Sequence, residues 1–169
     1  LRRLYHALLL QRAIPTESIR DSFFASTTRL DALGRSLDVA DMNGDGLTDL
    51  LYGIRYGDGN GRDSGTVMLH LGQPSGQFAE EPSRVINGPQ TDTEFGFSLA
   101  VCDFNGDGYL DMAVGGLTYE DREIQPVAWN QGALIVHLGH QDGLLHRADQ
   151  IIPGRLPNEA GEWTPIRDM

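Results

Sequence analysis

Three observations predict an all-β fold made of β-propeller blades, each of four antiparallel strands. The first is an internal repeat. Residues 33–53 (LGRSLDVADMNGDGLTDLLYG) recur as residues 95–115 (FGFSLAVCDFNGDGYLDMAVG), and GTVMLHLG at 65–72 recurs as GALIVHLG at 132–139. The second is turn chemistry: Gly makes up 21 of 169 residues, well above the usual ~7%. The third is that no helical pattern of ten residues interrupts either copy. A unit of about 60 residues holding four short strands is a propeller-blade unit.

Within each copy the first strand is expected near 36–41 or 98–103, entered through Gly34 or Gly96. The second is expected at 49–54 or 111–116. The third, aliphatic and bracketed by Gly, falls at 66–71 or 133–138. A weaker fourth lies near 84–87 and 149–152. The resulting division is an N-terminal extension or cap at 1–32, blade 1 at 33–94, blade 2 at 95–154, and at 155–169 the start of a further blade or a tail. Leu1, Leu4 and Leu8 lie at helical spacing among Arg2, Arg3, Arg12 and His6, so a short N-terminal helix beside the blades is expected. Two blades do not close a ring, since propellers use 4–8. The chain is therefore expected to continue into further blades, to find them in another chain, or to be capped by its own ends.

Composition narrows the function. The formal net charge is −11, which excludes a nucleic-acid surface and suits cations. Cys102 is the only thiol, so neither an internal disulfide nor a CxxC zinc knuckle can form. Apolar runs such as Ala7 to Leu10 reach only four residues, far too short to span a membrane. GxSxG, HExxH, Walker A and GxGxxG motifs are all missing.

The most informative segment joins the first two strands of each copy. Asp41-x-Asn43-x-Asp45-Gly-Leu47-x-Asp49 has a second version in Asp103-x-Asn105-x-Asp107-Gly-Tyr109-x-Asp111. Oxygen side chains at positions 1, 3 and 5 converge when the backbone coils tightly. Gly at position 6 permits the coil, the carbonyl of Leu47 or Tyr109 faces the same point, and the last Asp closes the shell. A hard cation with six to eight oxygen ligands fits, Ca²⁺ better than Mg²⁺. An EF-hand would need Glu at position 12, where Tyr52 and Val114 stand, and helical flanks in place of strands. Two Ca²⁺ sites are expected.

Phe95-Gly96, the Asp103–Asp111 loop and the following Met-Ala-Val-Gly resemble an FG-GAP repeat, the unit of the seven-bladed propeller in integrin alpha subunits and in GPI-specific phospholipase D. The similarity covers residues 33–154. Leu33-Gly34 stands for Phe-Gly in the first copy, and Gly53-Ile54-Arg55 and Gly115-Gly116-Leu117 stand for Gly-Ala-Pro. The resemblance implies calcium at both loops, a binding role, and an extracellular, cell-surface or organelle-lumen setting. It implies as side-chain ligands Asp41, Asn43, Asp45 and Asp49, and Asp103, Asn105, Asp107 and Asp111.

The function expected is a calcium-stabilised module for protein–protein interaction or adhesion, without enzymatic activity. The alternative is the propeller portion of a hydrolase resembling GPI-specific phospholipase D. In an up-and-down blade the loops between strands two and three lie opposite the cation loops. These loops, 55–64 and 117–131, are the longest and most divergent. They carry Arg55, Tyr56, Tyr119, Arg122 and Trp129, residue types that anchor protein interfaces. A shared structural role is expected for His70 and His137, core packing for Cys102, and a loose solvated loop around Asp58, Asn60 and Asp63.

Overall fold

The computed structural model describes residues 33–121, 130–141, 145 and 148–154. The expected N-terminal helix, the segment 155–169, and Arg122 and Trp129 lie outside the described residues. Among the described residues, eight strands form two four-stranded antiparallel sheets. Blade 1 holds β1 (Leu33–Ala40), β2 (Asp49–Ile54), β3 (Thr66–His70) and β4 (Arg84–Asn87). Blade 2 holds β5 (Phe95–Cys102), β6 (Asp111–Gly116), β7 (Ala133–His137) and β8 (Gln150–Pro153). Each sheet runs in sequence order, so both are simple meanders.

The first strand of each copy begins three residues earlier than the sequence reading places it. The register explains why. β1 pairs Leu33 with Ile54 and then slips before Leu37 meets Tyr52; β5 pairs Phe95 with Gly116 and slips before Ser98 meets Gly115. Gly96, at φ +90°, lies within the second slip. A bulge of this kind leaves residues unpaired and hides the strand's start from a simple alternation.

The blades stack face to face. Leu51, Leu69, Val67 and Ile86 share one face of blade 1, as the pairs Leu51↔Leu69 and Val67↔Ile86 require. Met112, Val114 and Ile135 share one face of blade 2. Together with Met42, Phe95 and Leu145 they form one continuous core. Ser36 Oγ donates to the Gly96 carbonyl at 2.6 Å, and Val101 N–H donates to Asp38 Oδ2 at 3.1 Å, so the first strands are also bonded across the interface. Gly53 makes the close approach possible, because a Cβ there would lie 2.1 Å from the Gly96 carbonyl oxygen.

Cys102 is not a core residue. In β5, Val101 pairs with Met112 on the face toward blade 1, and period-two alternation turns Cys102 to the opposite face, where it is exposed.

Candidate functional site

The two nine-residue loops fold in the same way. Gly44 and Gly46 take φ +72° and +84°, and Gly106 and Gly108 take +77° and +90°. Left-handed backbone at alternate residues is cheap only for glycine, and it wraps the loop around its own acidic side chains. In the first loop Asp41 Oδ1 accepts from Asp45 N–H at 3.0 Å and Oδ2 from Gly46 N–H at 2.8 Å. Asn43 Oδ1 accepts from the same Asp45 N–H at 3.1 Å, and its amide donates to Asp45 Oδ2 at 2.9 Å. Asp45 Oδ1 accepts from Leu47 N–H at 2.8 Å.

The second loop repeats every one of these bonds. Asp103 takes Asp107 N–H and Gly108 N–H at 3.2 and 2.9 Å, Asn105 takes Asp107 N–H at 2.9 Å, and Asp107 takes Tyr109 N–H at 2.9 Å. Asn105 also donates to Asp107 Oδ2 at 2.9 Å.

The ninth residue differs from the other acids. Asp49 and Asp111 are fully buried. Asp49 accepts from Met42 N–H at 2.8 Å and Gly72 N–H at 2.7 Å. Asp111 accepts from Phe104 N–H and Gly139 N–H, both at 2.7 Å. Each therefore ties the start of its loop to the turn after the third strand. Burial lifts the Asp49 carboxyl above the ordinary aspartate value; the two N–H bonds oppose that, and the charges of Asp45 and Asp41 add to it. Asp107, at the open mouth of its loop, is shifted below the ordinary value by the Tyr109 N–H and the Asn105 amide.

The donor chemistry of each loop is all oxygen: three carboxylates, an amide oxygen and backbone carbonyls, the set a hard divalent cation prefers. Asp41, Asn43 and Asp45 open to solvent, and the Asp49 charge is coupled to two of them. Among the described residues no three acidic or imidazole side chains are already gathered at metal-holding distance, because the carboxylates are bonded to loop N–H groups.

The opposite end of the sheets carries the loops after β2 and β6. The loop 55–64 is not loose. Asp58 Oδ1 accepts from Asp63 N–H at 2.8 Å, and Asn60 donates to the Gly88 and Pro89 carbonyls at 3.0 and 3.1 Å. Arg62 pairs with Asp92 at 2.6 Å. The link 88–94 thus joins this loop to the next, and Gln90 donates to the Glu120 carbonyl at 3.1 Å. Arg55 is held inside this surface, ion-paired with Glu94 at 2.6 Å and set over the rings of Tyr56 and Phe97 at 4.7 and 5.3 Å. Tyr56 and Tyr119 are half-buried. Among the described residues, exposed polar side chains on this face include Asp58, Asn60, Arg62, Asp92 and Asn130, and Asp92 escaped the sequence reading because the link between blades carries no repeated motif.

His70 is a structural group. Its Nδ1 donates to the Ala79 carbonyl at 2.8 Å, leaving Nε2 to face the Tyr52 hydroxyl at 3.2 Å. Buried His137 lies edge-on to Phe95, 5.8 Å between ring centres. The two equivalent imidazoles fill equivalent places with different partners.

Residues 41–114 match the FG-GAP-like repeat family. The chain is similar to mouse integrin alpha-IIb, 32% identical over 166 residues, covering 88% of this chain and 15% of that protein. It is similar to mouse integrin alpha-3, 32% identical over 123 residues, covering 72% of this chain and 11% of the relative. Human integrin alpha-8 is 31% identical over 127 residues, with 72% of this chain and 11% of the relative covered. The chain thus spans about a seventh or less of the length of these curated relatives. Among the described residues no helix is long and apolar enough to cross a membrane.

Proposed function

The chain carries FG-GAP-like repeats and is similar to integrin alpha subunits along most of its length, and from that premise we propose that it is a calcium-stabilised propeller module that binds protein partners in an extracellular or luminal setting. Blade 1 is taken as 33–94 and blade 2 as 95–154. Calcium is held at two sites. Asp41, Asn43, Asp45, Asp49 and the Leu47 carbonyl make the first; Asp103, Asn105, Asp107, Asp111 and the Tyr109 carbonyl make the second. The observation that carries this reading is the bond-for-bond repetition of the loop in both blades while the residues between the donors vary, as Met42/Phe104 and Thr48/Leu110 do. A cation would replace the N–H groups as partner of the carboxylates and relieve their mutual repulsion.

The partner surface is assigned to the opposite face, made by 55–64, 88–94 and 117–131. Variable loops on a rigid sheet scaffold are where binding sits. Arg55 and Tyr56 brace this surface from within, and Tyr119 lies on its second loop; Arg122 and Trp129, assigned to the same surface from the sequence, lie outside the described residues.

Thermal melts in EGTA and in millimolar Ca²⁺ test the cation reading. Sites of about 10⁻⁴–10⁻³ M, the range of extracellular modules, each add about 1.4 kcal/mol at ten times the dissociation constant. Asp45→Ala combined with Asp107→Ala abolishes the calcium response. Superimposable melts of the unaltered protein would refute the proposal.

A further inference from the structure

Four asparagines of this chain precede a glycine: Asn43, Asn60, Asn87 and Asn105. Asparagine is a chemically labile residue, most of all in such a pair. The glycine nitrogen attacks the side-chain carbonyl carbon of the asparagine, unhindered by a side chain of its own. A five-membered succinimide closes and ammonia leaves. Water then opens the ring at either carbonyl and leaves aspartate or isoaspartate. The balance is amide plus water to carboxylic acid plus ammonia, with no oxidant and no cofactor. The reaction needs room for the glycine peptide to turn and a nitrogen whose N–H is not held elsewhere.

Room separates the four pairs into two classes. A Cβ built on Gly88 would run into the Ser64 carbonyl, and one on Gly61 into the Thr91 side chain. The asparagines of these two pairs are also tied. Asn60 donates to the Gly88 and Pro89 carbonyls at 3.0 and 3.1 Å, and Asn87 Oδ1 accepts from the Thr66 hydroxyl at 3.0 Å. Gly61 N–H donates to the Asp58 carbonyl at 3.2 Å, and Gly88 N–H to the Gly65 carbonyl at 2.9 Å. Around Gly44 and Gly106, in the two acidic loops, a Cβ would meet nothing within 4 Å. The N–H then separates these two. Gly106 N–H donates to Asp103 Oδ1 at 2.7 Å. In the first loop Asp41 Oδ1 takes Asp45 N–H instead, at 3.0 Å, and among the described residues no acceptor holds the Gly44 N–H.

We propose that Asn43 is a site of spontaneous deamidation, converting through the Gly44 succinimide while Asn105, its counterpart in the second blade, is protected by the Gly106–Asp103 bond. Exposure alone ranks them the other way, since Asn43 is half-buried and Asn60, Asn87 and Asn105 are exposed. The order of conversion therefore separates the two explanations. The products alter the first loop alone. Aspartate keeps an oxygen at the third position and adds a charge. Isoaspartate carries the main chain through the former side-chain carbon, which lengthens the loop by one backbone atom and moves Asp45 N–H away from Asp41. The inference concerns the loop without a cation, so it stands or falls independently of the calcium reading.

The test is peptide mapping by mass spectrometry on the whole protein that carries this chain, aged in EGTA in mildly alkaline buffer, native and in urea. In the native protein Asn43 converts first, about tenfold faster than Asn105, the factor to which one charge-assisted hydrogen bond corresponds. Asn60 and Asn87 convert more slowly than Asn43 as well. In urea the four rates draw together, because the bonds that distinguish them are gone. Asn43→Gln, whose ring would need six members, removes the fast release of ammonia and leaves the other three rates unchanged. A native rate at Asn105 equal to or above that at Asn43 overturns the proposal. So does a native order identical to the order in urea, or a fast ammonia release that survives Asn43→Gln.

Discussion

The two blades carry the same acidic loop in different surroundings. In blade 1 the second residue of the loop, Met42, is sealed under blade 2. In blade 2 its counterpart Phe104 projects from the surface. Yet the hydrogen bonds from Asp41, Asn43, Asp45 and Asp49 are reproduced around Asp103, Asn105, Asp107 and Asp111 to within a few tenths of an ångström. Loop geometry is therefore encoded within nine residues and one turn glycine. Burial is conferred by the neighbouring blade. Changes inside the loops should act alike in the two blades, and changes on the sheet faces should not.

The largest expected effect lies where the blades agree. Asp49 and Asp111 each satisfy two backbone N–H groups from a fully buried position. Alanine at either site leaves two donors without a partner, at 1–3 kcal/mol for each such group. Asp49→Ala and Asp111→Ala should each cost about 3 kcal/mol in EGTA, read by urea denaturation. Asp45→Ala and Asp107→Ala, at the exposed mouths, should cost far less under the same conditions. Equal costs at positions 5 and 9 would mean that the ninth aspartate is no more structural than the fifth.

The next effect breaks the symmetry. A Cβ on Gly53 would sit 2.1 Å from the Gly96 carbonyl oxygen and 2.8 Å from its carbon, both backbone atoms of the opposing blade. A Cβ on Gly115 would meet only the Ser98 Oγ at 2.4 Å, with the next atom 3.6 Å away. That hydroxyl can rotate aside; a carbonyl in a packed strand cannot. Gly53→Ala should destabilise by about 2 kcal/mol, in the range for overpacking, and Gly115→Ala by less than about 0.5 kcal/mol. Comparable losses would show that the Gly115 site is packed as tightly in solution as the Gly53 site.

Much of this architecture was legible because the repeat supplied its own control. Residues retained at both offsets marked the strands and the loop, and β2 and β6 fall where the alternation places them. What was not legible depends on neighbours distant in sequence. The fate of Cys102 turns on the side to which the parity of β5 directs it, which the bulge before Ser98 sets. Loop 55–64 reads as loose because Gly57, Gly59 and Gly61 suggest freedom; the first two instead make room for Thr66 and Asn87. Arg55 has the chemistry of an interface anchor, but Glu94, 39 residues away in sequence, claims it. The ligand oxygens could be named from their spacing, whereas the division between two buried carboxylates and six solvent-facing donors could not. That division depends on the Gly72 and Gly139 N–H groups arriving from the third strands.

The smallest effect distinguishes the two kinds of carboxylate by pH. In EGTA, Asp49 should titrate above 3.8, because burial disfavours its charge more than the Gly72 and Met42 N–H groups favour it. Asp107 should titrate below 3.8, because the Tyr109 N–H and the Asn105 amide hold its ionised form. The two then contribute to stability in opposite senses. Asp49 binds its proton more tightly when folded, so it adds stability as pH falls through its raised folded value towards the unfolded one. Asp107 loses its proton more readily when folded, so its contribution is present above the unfolded value and is lost as pH falls through the depressed one. Carboxyl-carbon NMR titrations would place the two midpoints on either side of 3.8. Asp49→Asn should remove the stabilising step on acidification and Asp107→Asn the destabilising one. Midpoints in the reverse order would mean that the N–H bonds at Asp49 outweigh its burial. The buried ninth residue would then hold its charge without a cation, and the chemical distinction between the base and the mouth of the loop would disappear.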